Sequence, residues 1–547
     1  MVVSALFTNC APPAFESIDL ASMSGNDPLL GYSWHLNNSG QQVFAARSAV
    51  SGNDLNLHKT WGMGYYGNGI KVLVSDDGLE DTHEDLQGNF LYGSLSKDYT
   101  LSAPYVANGA APKTANDNHG TAVAGLIAAA GGNGLGSRGV APRAHIAIAN
   151  FLSENVTQTL SKMVDQASGS FDVFNMSWGG YQNTVSAPDT GFESQLRYGV
   201  TSGRSGKGSV YVKAAGNDFF SYCNGSSTAV CVGNSNFDPD NTNPYVLVTG
   251  AMNSLGNAAS YSSGGSNLWV SAFGGEYGDD SPAMVTTDRT GCSHGYAASN
   301  ADLSFDRGSG NSNCNYSVTF NGTSSAAPVL SGVVALLLEA NPQLTWRDVK
   351  YILAKTSKKV HPTMINVNHP RGVTSPSGYV WDNGWVSNGA GFPFHNWFGF
   401  GQVDVDAAVA MARSYSSSFG TFTDTGWANN LSGLSHAVPD NVAGGVTSSM
   451  AVASNLKIEA VQLRIWVTHP NISELALELT SPSGTKSVVV NMNNALTGIA
   501  NYQGEIFLSN AFFQERAAGT WTLRVVDGKS GNTGTLTRWS LNFFGSN

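Results

Sequence analysis

Three polar residues far apart in the chain each stand where an element begins or ends. Asp76 follows the apolar run Ile70-Lys71-Val72-Leu73-Val74-Ser75, and His119 precedes the small-residue run Gly120-Thr121-Ala122-Val123-Ala124-Gly125. Ser324 lies in Asn321-Gly322-Thr323-Ser324-Ser325-Ala326-Ala327-Pro328. A hydroxyl, an imidazole and a carboxylate are the set that makes a serine nucleophilic: the hydroxyl needs a base, and the base needs an acceptor to hold its tautomer. A helix opening at Ser324 would aim unpaired N–H groups and its positive dipole end at charge developing beside the hydroxyl, as acyl transfer requires. Each residue also has a plainer reading. Ser324 suits a helix cap, His119 a structural histidine, and Asp76-Asp77-Gly78 a turn with an Asx cap.

The elements that would position these residues alternate between strand and helix. Strands are expected at Ile70–Ser75, Ala144–Ala149, Phe171–Gly180 and Ser209–Asn217, with helices near 155–168 and 190–203 between them. This order predicts a parallel, doubly wound α/β sheet whose functional loops lie at the C-terminal ends of the strands. The helix from Ser324 is expected to carry Pro328 early enough to cost no hydrogen bond. A second helix follows, capped by Thr345 with Asp348 three residues on, and a last one spans Val403 to Ala412. From about residue 421 short alternating segments such as Val461–Val467, Glu474–Leu479 and Trp521–Val526, with turns such as Ser481-Pro482-Ser483-Gly484, predict an antiparallel β-sandwich. The expected layout is an extension over 1–25, an α/β domain over 26–418 and a sandwich over 421–547.

At 547 residues the chain exceeds what one core serves. Charged residues make up 12%, about half the usual share, while glycine is abundant, which suits a loop-rich extracellular protein. The net charge of −11 argues against nucleic acid and is compatible with cationic substrates. No uninterrupted apolar run of about 18 residues occurs, so no membrane span is expected. Met1 to Phe7 is too short for the apolar region of a secretion signal and reads as a mature or recombinant start. Cys223 with Cys231 and Cys292 with Cys314 are the natural local pairs, leaving Cys10 over; five free thiols in a cytosolic protein are the other reading.

Asp76, His119 and Ser324 occur in one of the chain orders in which the Ser-His-Asp triad is found. Their flanks, Asp76-Asp77-Gly78, His119-Gly120-Thr121 and Gly322-Thr323-Ser324 with Ala326-Ala327-Pro328, resemble the three signatures of the subtilase family. Ser177-Trp178-Gly179, Asp27-Pro28-Leu29 and the run Leu336 to Val349 are most similar to the kexin and furin branch, the proprotein convertases. The C-terminal segment resembles their P-domain through His469-Pro470, Ser481-Pro482-Ser483-Gly484-Thr485, Gly519-Thr520-Trp521 and Asp527.

The resemblance implies a subtilisin-like α/β domain with a jelly-roll-like P-domain, and a secreted serine endopeptidase acting through an acyl-enzyme. Ser324 would be the nucleophile, His119 the base, Asp76 its partner and Asn217 the donor to the oxyanion. Ser177-Trp178-Gly179 would pair with the extended substrate. Cleavage after basic or paired basic residues is implied by Asp77 and Asp117, which match acids around the residue next to the cleavage site, and by Glu154, near a more distant subsite. For the cleavage-site residue itself the family's acid after Ser-Trp-Gly is missing, since the chain reads Gly179-Gly180-Tyr181-Gln182-Asn183; the second acid corresponds to Asp238 or Asp240, with Asp240 preferred. Calcium is implied by Asp27, Asp85, Asn133 and the carbonyls of Ala130 and Leu135, and at a second site by Glu276. The expected partner is a polypeptide substrate, with a removed propeptide or a separate chaperone assisting folding of a monomer. Two further readings are a broad-specificity degradative subtilase and a non-catalytic adhesion protein.

Overall fold

The structure is a computed structural model that describes residues 27–167, 170–219, 221–222, 230–299, 301–302, 304–308, 311–361 and 375–547. The extension expected over 1–25, Cys10 and Cys223 lie outside the described residues.

Eight strands form the first sheet: β1 (Lys71–Ser75), β2 (Ser96–Lys97), β3 (Val106–Ala107), β4 (His145–Ala149), β5 (Val173–Met176), β6 (Val210–Ala214), β7 (Val246–Met252) and β8 (Val270–Phe273). Their order is β8-β7-β6-β5-β1-β4-β2-β3, and all neighbours are parallel except β2 with β3. The apolar side chains of β1 and β5 are buried on both faces, which is why these segments read as continuous hydrophobic runs. From β1 the chain goes out to the edge strands β2 and β3, comes back to β4 between them and β1, and then crosses to β5 on the other flank of β1. The strand order therefore reverses between β1 and β5, and a crevice opens there beyond the strands' C-terminal ends.

Helix α1 (His119–Ala128) and the later helix α4 pack against each other, with α2 (Leu160–Ala167) and α3 (Thr190–Gly206) paired elsewhere. At Gly203, Arg204 and Ser205 the backbone of α3 leaves helical geometry, so its regular part ends close to the predicted boundary. Helix α4 (Thr323–Ala340) lies over β5, β6 and β7. Its 18 residues have a mean hydropathy of 1.5, enough for a membrane span, but 83% of the helix is buried, and it is the core helix of the domain. Helix α5 (Trp346–Thr356) starts with the expected capping box of Thr345 and Asp348, and α6 (Val405–Ser414) is the last helix.

The C-terminal strands are β9 (Thr423–Asp424), β10 (Asn429–Val438), β11 (Val446–Val452), β12 (Lys457–Thr468), β13 (Leu475–Thr480), β14 (Lys486–Val490), β15 (Tyr502–Ser509), β16 (Gly519–Asp527) and β17 (Gly534–Ser546). One antiparallel sheet runs β17-β12-β15, with β9 and β10 both paired to the free side of β17, and the other runs β11-β16-β13-β14. Both contribute to one core, with Trp521 and Leu477 from one sheet meeting Trp539 and Leu463 from the other. The sandwich is fixed to the α/β domain. Phe513 packs on Trp269, Phe392 and Phe400, and Arg347 of α5 makes two bonds to Glu459 of β12, Nε to Oε2 at 2.8 Å and Nη2 to Oε1 at 2.5 Å.

Candidate active site

Asp76 is the residue after β1 and is 0% exposed. Its Oδ1 accepts from His119 Nδ1 at 2.8 Å and from the Asp77 amide at 2.9 Å, while Oδ2 is buried without a hydrogen-bond partner among the described residues. His119 is the first residue of α1, and its ring stands edge-on to Phe320. Burial pulls the imidazole pKa down, but the charge and hydrogen bond of Asp76, helped by the charge of Asp77, outweigh it and push it up to about 9. With Nδ1 held by Asp76, Nε2 is the nitrogen left for a nucleophile.

Asp77 caps α1 from a neighbouring strand end. Its oxygens accept from the His119 amide at 2.9 Å and the Gly120 amide at 2.7 Å, two of the donors a helix start leaves unpaired. Burial, then the adjacent charge of Asp76, raises its carboxyl to about 7.

Ser324 is the second residue of α4. The cap position is Gly322, at φ 102°, and no side chain caps the helix, so Ser324 is not a cap. Pro328 is the sixth helical residue, later than expected, and it lacks the N–H that would donate to the carbonyl four residues back. That carbonyl belongs to Ser324, and Ser177 Oγ donates to it instead at 2.9 Å. Ser177 is held in turn by Asn175 Nδ2 at 3.0 Å, and Asn175 Oδ1 accepts from Ser331 Oγ at 2.9 Å. The Ser324 hydroxyl donates to the Ser177 carbonyl at 3.1 Å, so its approach to His119 requires a turn about its Cα–Cβ bond.

Asn217 lies three residues beyond β6. Its Oδ1 accepts from the amide and the hydroxyl of Thr323, both at 2.9 Å, which leaves its Nδ2 beside Gly322 and free to donate. The Gly322 amide donates to the Tyr261 hydroxyl at 2.8 Å, fixing the turn before the serine. Thr323, Tyr261 and Ser331 are residues to which the sequence alone assigns no role. Thr323 carries a signal through its place beside Ser324, whereas Tyr261 comes from a loop with no pattern.

Asp117 is buried, and its carboxylate accepts from the amides of Lys113, Thr114 and Glu154 and from Ser153 Oγ, tying two loops together. Glu154 is exposed and accepts from Asn116 Nδ2 at 2.8 Å. Trp178 packs its ring beside Lys213, whose Nζ is 5.0 Å from the ring centre. Asp238 is bound to Lys213 Nζ at 2.5 Å. Asp240 has its amide on Asp238 Oδ1, and burial, then the charge of Asp238, raises its carboxyl to about 7.

The Subtilase family profile matches residues 67–400, and the proprotein convertase P-domain profile matches residues 458–543. The chain belongs to the subtilase family. It is a serine protease of that family with a P-domain. The subtilase is 37% identical to the Aeromonas extracellular serine protease of Aeromonas sobria, over 93% of this chain and 85% of that protein. It is 29% identical to human proprotein convertase subtilisin/kexin type 6 over 95% of this chain, which spans about half of that relative (49%). The crystal structure of the Aeromonas sobria serine protease superposes with a TM-score of 0.86 at 33% identity, covering 95% of this chain and 96% of that one. The same protease in complex with a chaperone gives a TM-score of 0.87 at 32% identity, covering 96% of each chain.

The subtilase carries the expected Cys292–Cys314 disulfide, and Cys231 is also disulfide-bonded. At the expected calcium position Asp85 Oδ2 is buried with no hydrogen-bond partner among the described residues, and Oδ1 accepts from Asn133 Nδ2 at 2.8 Å. Burial raises the Asp85 carboxyl to about 7 despite the Asn133 bond, and the charges of Asp27 and Glu84 add to the rise. Asp27 accepts from the amides of Gly132 and Gly134 and is paired with Arg138. A partnerless buried carboxylate oxygen beside a second carboxylate and the carbonyl-bearing loop 130–135 suits a hard cation. Glu276, by contrast, accepts from Asn253 Nδ2, the Ser260 amide and Ser260 Oγ, so this chain's own donors occupy both of its oxygens. In the sandwich His469, Glu474 and Asp527 form a buried cluster with ligand atoms within 4.8 Å of one another, already bonded internally through His469 Nε2 and Asp527 Oδ2 at 3.2 Å.

Proposed function

We propose that the subtilase is a secreted endopeptidase in which Ser324, His119 and Asp76 form the catalytic triad. The observation that carries this reading is the 2.8 Å bond from His119 Nδ1 to the buried Asp76, beside the same crevice in which α4 presents Ser324 and Thr323 orients Asn217. Ser324 Oγ attacks the substrate carbonyl carbon as its proton passes to His119 Nε2. Asp76 stabilises the resulting imidazolium, and Asn217 Nδ2 donates to the oxygen that becomes negative. His119 then protonates the leaving amine as the C–N bond breaks. A water loses its proton to His119, attacks the acyl-enzyme and releases the acid with Ser324 restored.

The substrate backbone lies along Ser177-Trp178-Gly179 as an added strand. The acidic net charge, with Asp77 beside His119, the exposed Glu154 and Asp240 beside Asp238, supports a preference for basic segments. Asp27, Asp85, Asn133 and the carbonyls of Ala130 and Leu135 would hold calcium, which would balance the Asp85 carboxylate that Arg138 leaves unpaired. A separate chaperone fits the chaperone complex of the Aeromonas sobria relative. An active-serine phosphonate should label the protein at Ser324, with no label on Ser324→Ala or after loss of the imidazole in His119→Ala; labelling elsewhere, or undiminished labelling of Ser324→Ala, would defeat the proposal.

A further inference from the structure

With the substrate carbonyl carbon at Ser324 Oγ and its oxygen toward Asn217, the side chain preceding the scissile bond projects between two segments. One is 177–180, tied to Ser324 through Ser177; the other is 213–217, tied to the α4 mouth through Asn217. These segments start from the neighbouring parallel strands β5 and β6, where Met176 is in register with Lys213. Gly179, Gly180, Ala215 and Gly216 keep the gap free of large side chains.

Against one wall lies a buried ion pair, Lys213 with Asp238, whose side chains are 0% and 2% exposed. A methyl group on Gly179 would stand 2.5 Å from Asp238 Oδ2 and 3.2 Å from Lys213 Nζ, so the pair occupies the space directly behind this wall. The Gly180 amide also donates to Asp238 Oδ2 at 3.2 Å. On the other wall Gln182 donates Nε2 to the Ala215 carbonyl at 2.7 Å and lies against Gly216. Gln182 is 2% exposed, and its Oε1 is buried with no hydrogen-bond partner among the described residues.

A carboxylate alone behind this gap would select arginine or lysine by charge. Here the chain supplies its own ammonium to the carboxylate, and the facing wall presents a neutral acceptor. We propose, resting on the triad reading above, that the residue preceding the scissile bond is recognised by shape and by a hydrogen bond to Gln182 Oε1, not by charge. Lys213 is the residue that sets this, and selection of a basic side chain falls on the next residue upstream, toward Asp77. The subtilase therefore takes neutral hydrogen-bonding side chains at the cleavage position nearly as well as arginine.

The test uses a quenched peptide with Arg-Arg before the scissile bond and two versions in which one arginine or the other is citrulline, its neutral isostere. For the wild-type protein, citrulline next to the scissile bond should lower kcat/KM less than tenfold, and citrulline one residue upstream should lower it more. A loss of tenfold or greater at the first position would overturn the proposal. In Lys213→Met, which frees Asp238, the loss at the first position should grow at least tenfold; an unchanged ratio would remove the role of Lys213. If that variant does not fold, the wild-type peptides decide the question by themselves. Absence of Ser324-dependent turnover of all three peptides would remove the protease reading and this proposal together, an outcome distinct from a charge preference.

Discussion

At the junction of the α/β domain and the sandwich, Glu459 receives two N–H donors from Arg347, and the pair is about nine-tenths buried with its charges matched (side chains 10% and 8% exposed). At the crevice, Asp76 and Asp77 are adjacent and both buried, only Asp76 is bonded to the imidazole, and Asp76 Oδ2 has no partner among the described residues. The cradle of Asp27 and Asp85 resembles the crevice, since Arg138 pairs with only one of the two acids. Charge that holds domains together is balanced within the chain. Where charge is left unbalanced, the missing partner is a proton, a substrate or a cation from outside, which is how perturbed acids come to mark functional places.

The largest effect should come from breaking the balanced region. Glu459→Ala leaves the Arg347 guanidinium buried and unpaired, and should cost about 3–5 kcal/mol, read as a lower urea midpoint. Turnover per folded molecule should be unchanged; a loss of activity without loss of stability would mean the two regions are coupled. In the crevice Asn217→Ala should do the reverse, lowering kcat by about 10²–10³-fold with the melting temperature nearly constant. A fall of less than tenfold would take the oxyanion role from Asn217.

Calcium removal tests the cradle. A chelator should lower the melting temperature, by the equivalent of about 2.7 kcal/mol if free calcium had stood at about 100 times its Kd. Asp85→Asn should abolish that response, and a chelator-insensitive wild type would leave the orphaned Asp85 oxygen without a ligand. The smallest effect is in pH. His119, pushed up to about 9, holds its proton at neutral pH, so kcat/KM should climb about tenfold per unit as pH rises and level off near 9. Asp76→Asn removes the main raising influence and should move that limb downward. The same interaction stabilises the folded state fully below about pH 6.5 and is lost as pH rises through about 9, because the folded-state pKa lies above the ordinary value.

Much of the site was legible because its residues stand at element boundaries. A β-branched run stopped by Asp-Asp-Gly and a Gly-x-Ser ahead of small residues are local patterns, and the strands and helices lie close to the expected positions. Pro328 lies beyond the first turn of α4, and its missing N–H frees the Ser324 carbonyl for Ser177. The subsites were least legible. Asp117 matches a subsite acid by sequence, and the structure adds that four donors from two loops hold its carboxylate in place. Of the two candidate acids, Asp238 stands against Gly179 and Gly180, and its partner Lys213 sits in a strand that reads only as buried β-structure.

The sequence by itself determined the strand–helix alternation around β1, β4, β5 and β6, the alternating short strands of the C-terminal part, and the residue types of the triad candidates Asp76, His119 and Ser324. These depend on local periodicity and on residue types at chain reversals, which neighbours along the chain define. Only the tertiary structure decided which charges meet: that Arg138 reaches Asp27, that Asp77 caps α1, and that Lys213 neutralises Asp238 beside Gly179. A buried charge's behaviour depends on the nearest opposite charge and on the water removed around it, and both are set by segments distant in sequence that packing brings within about 3 Å.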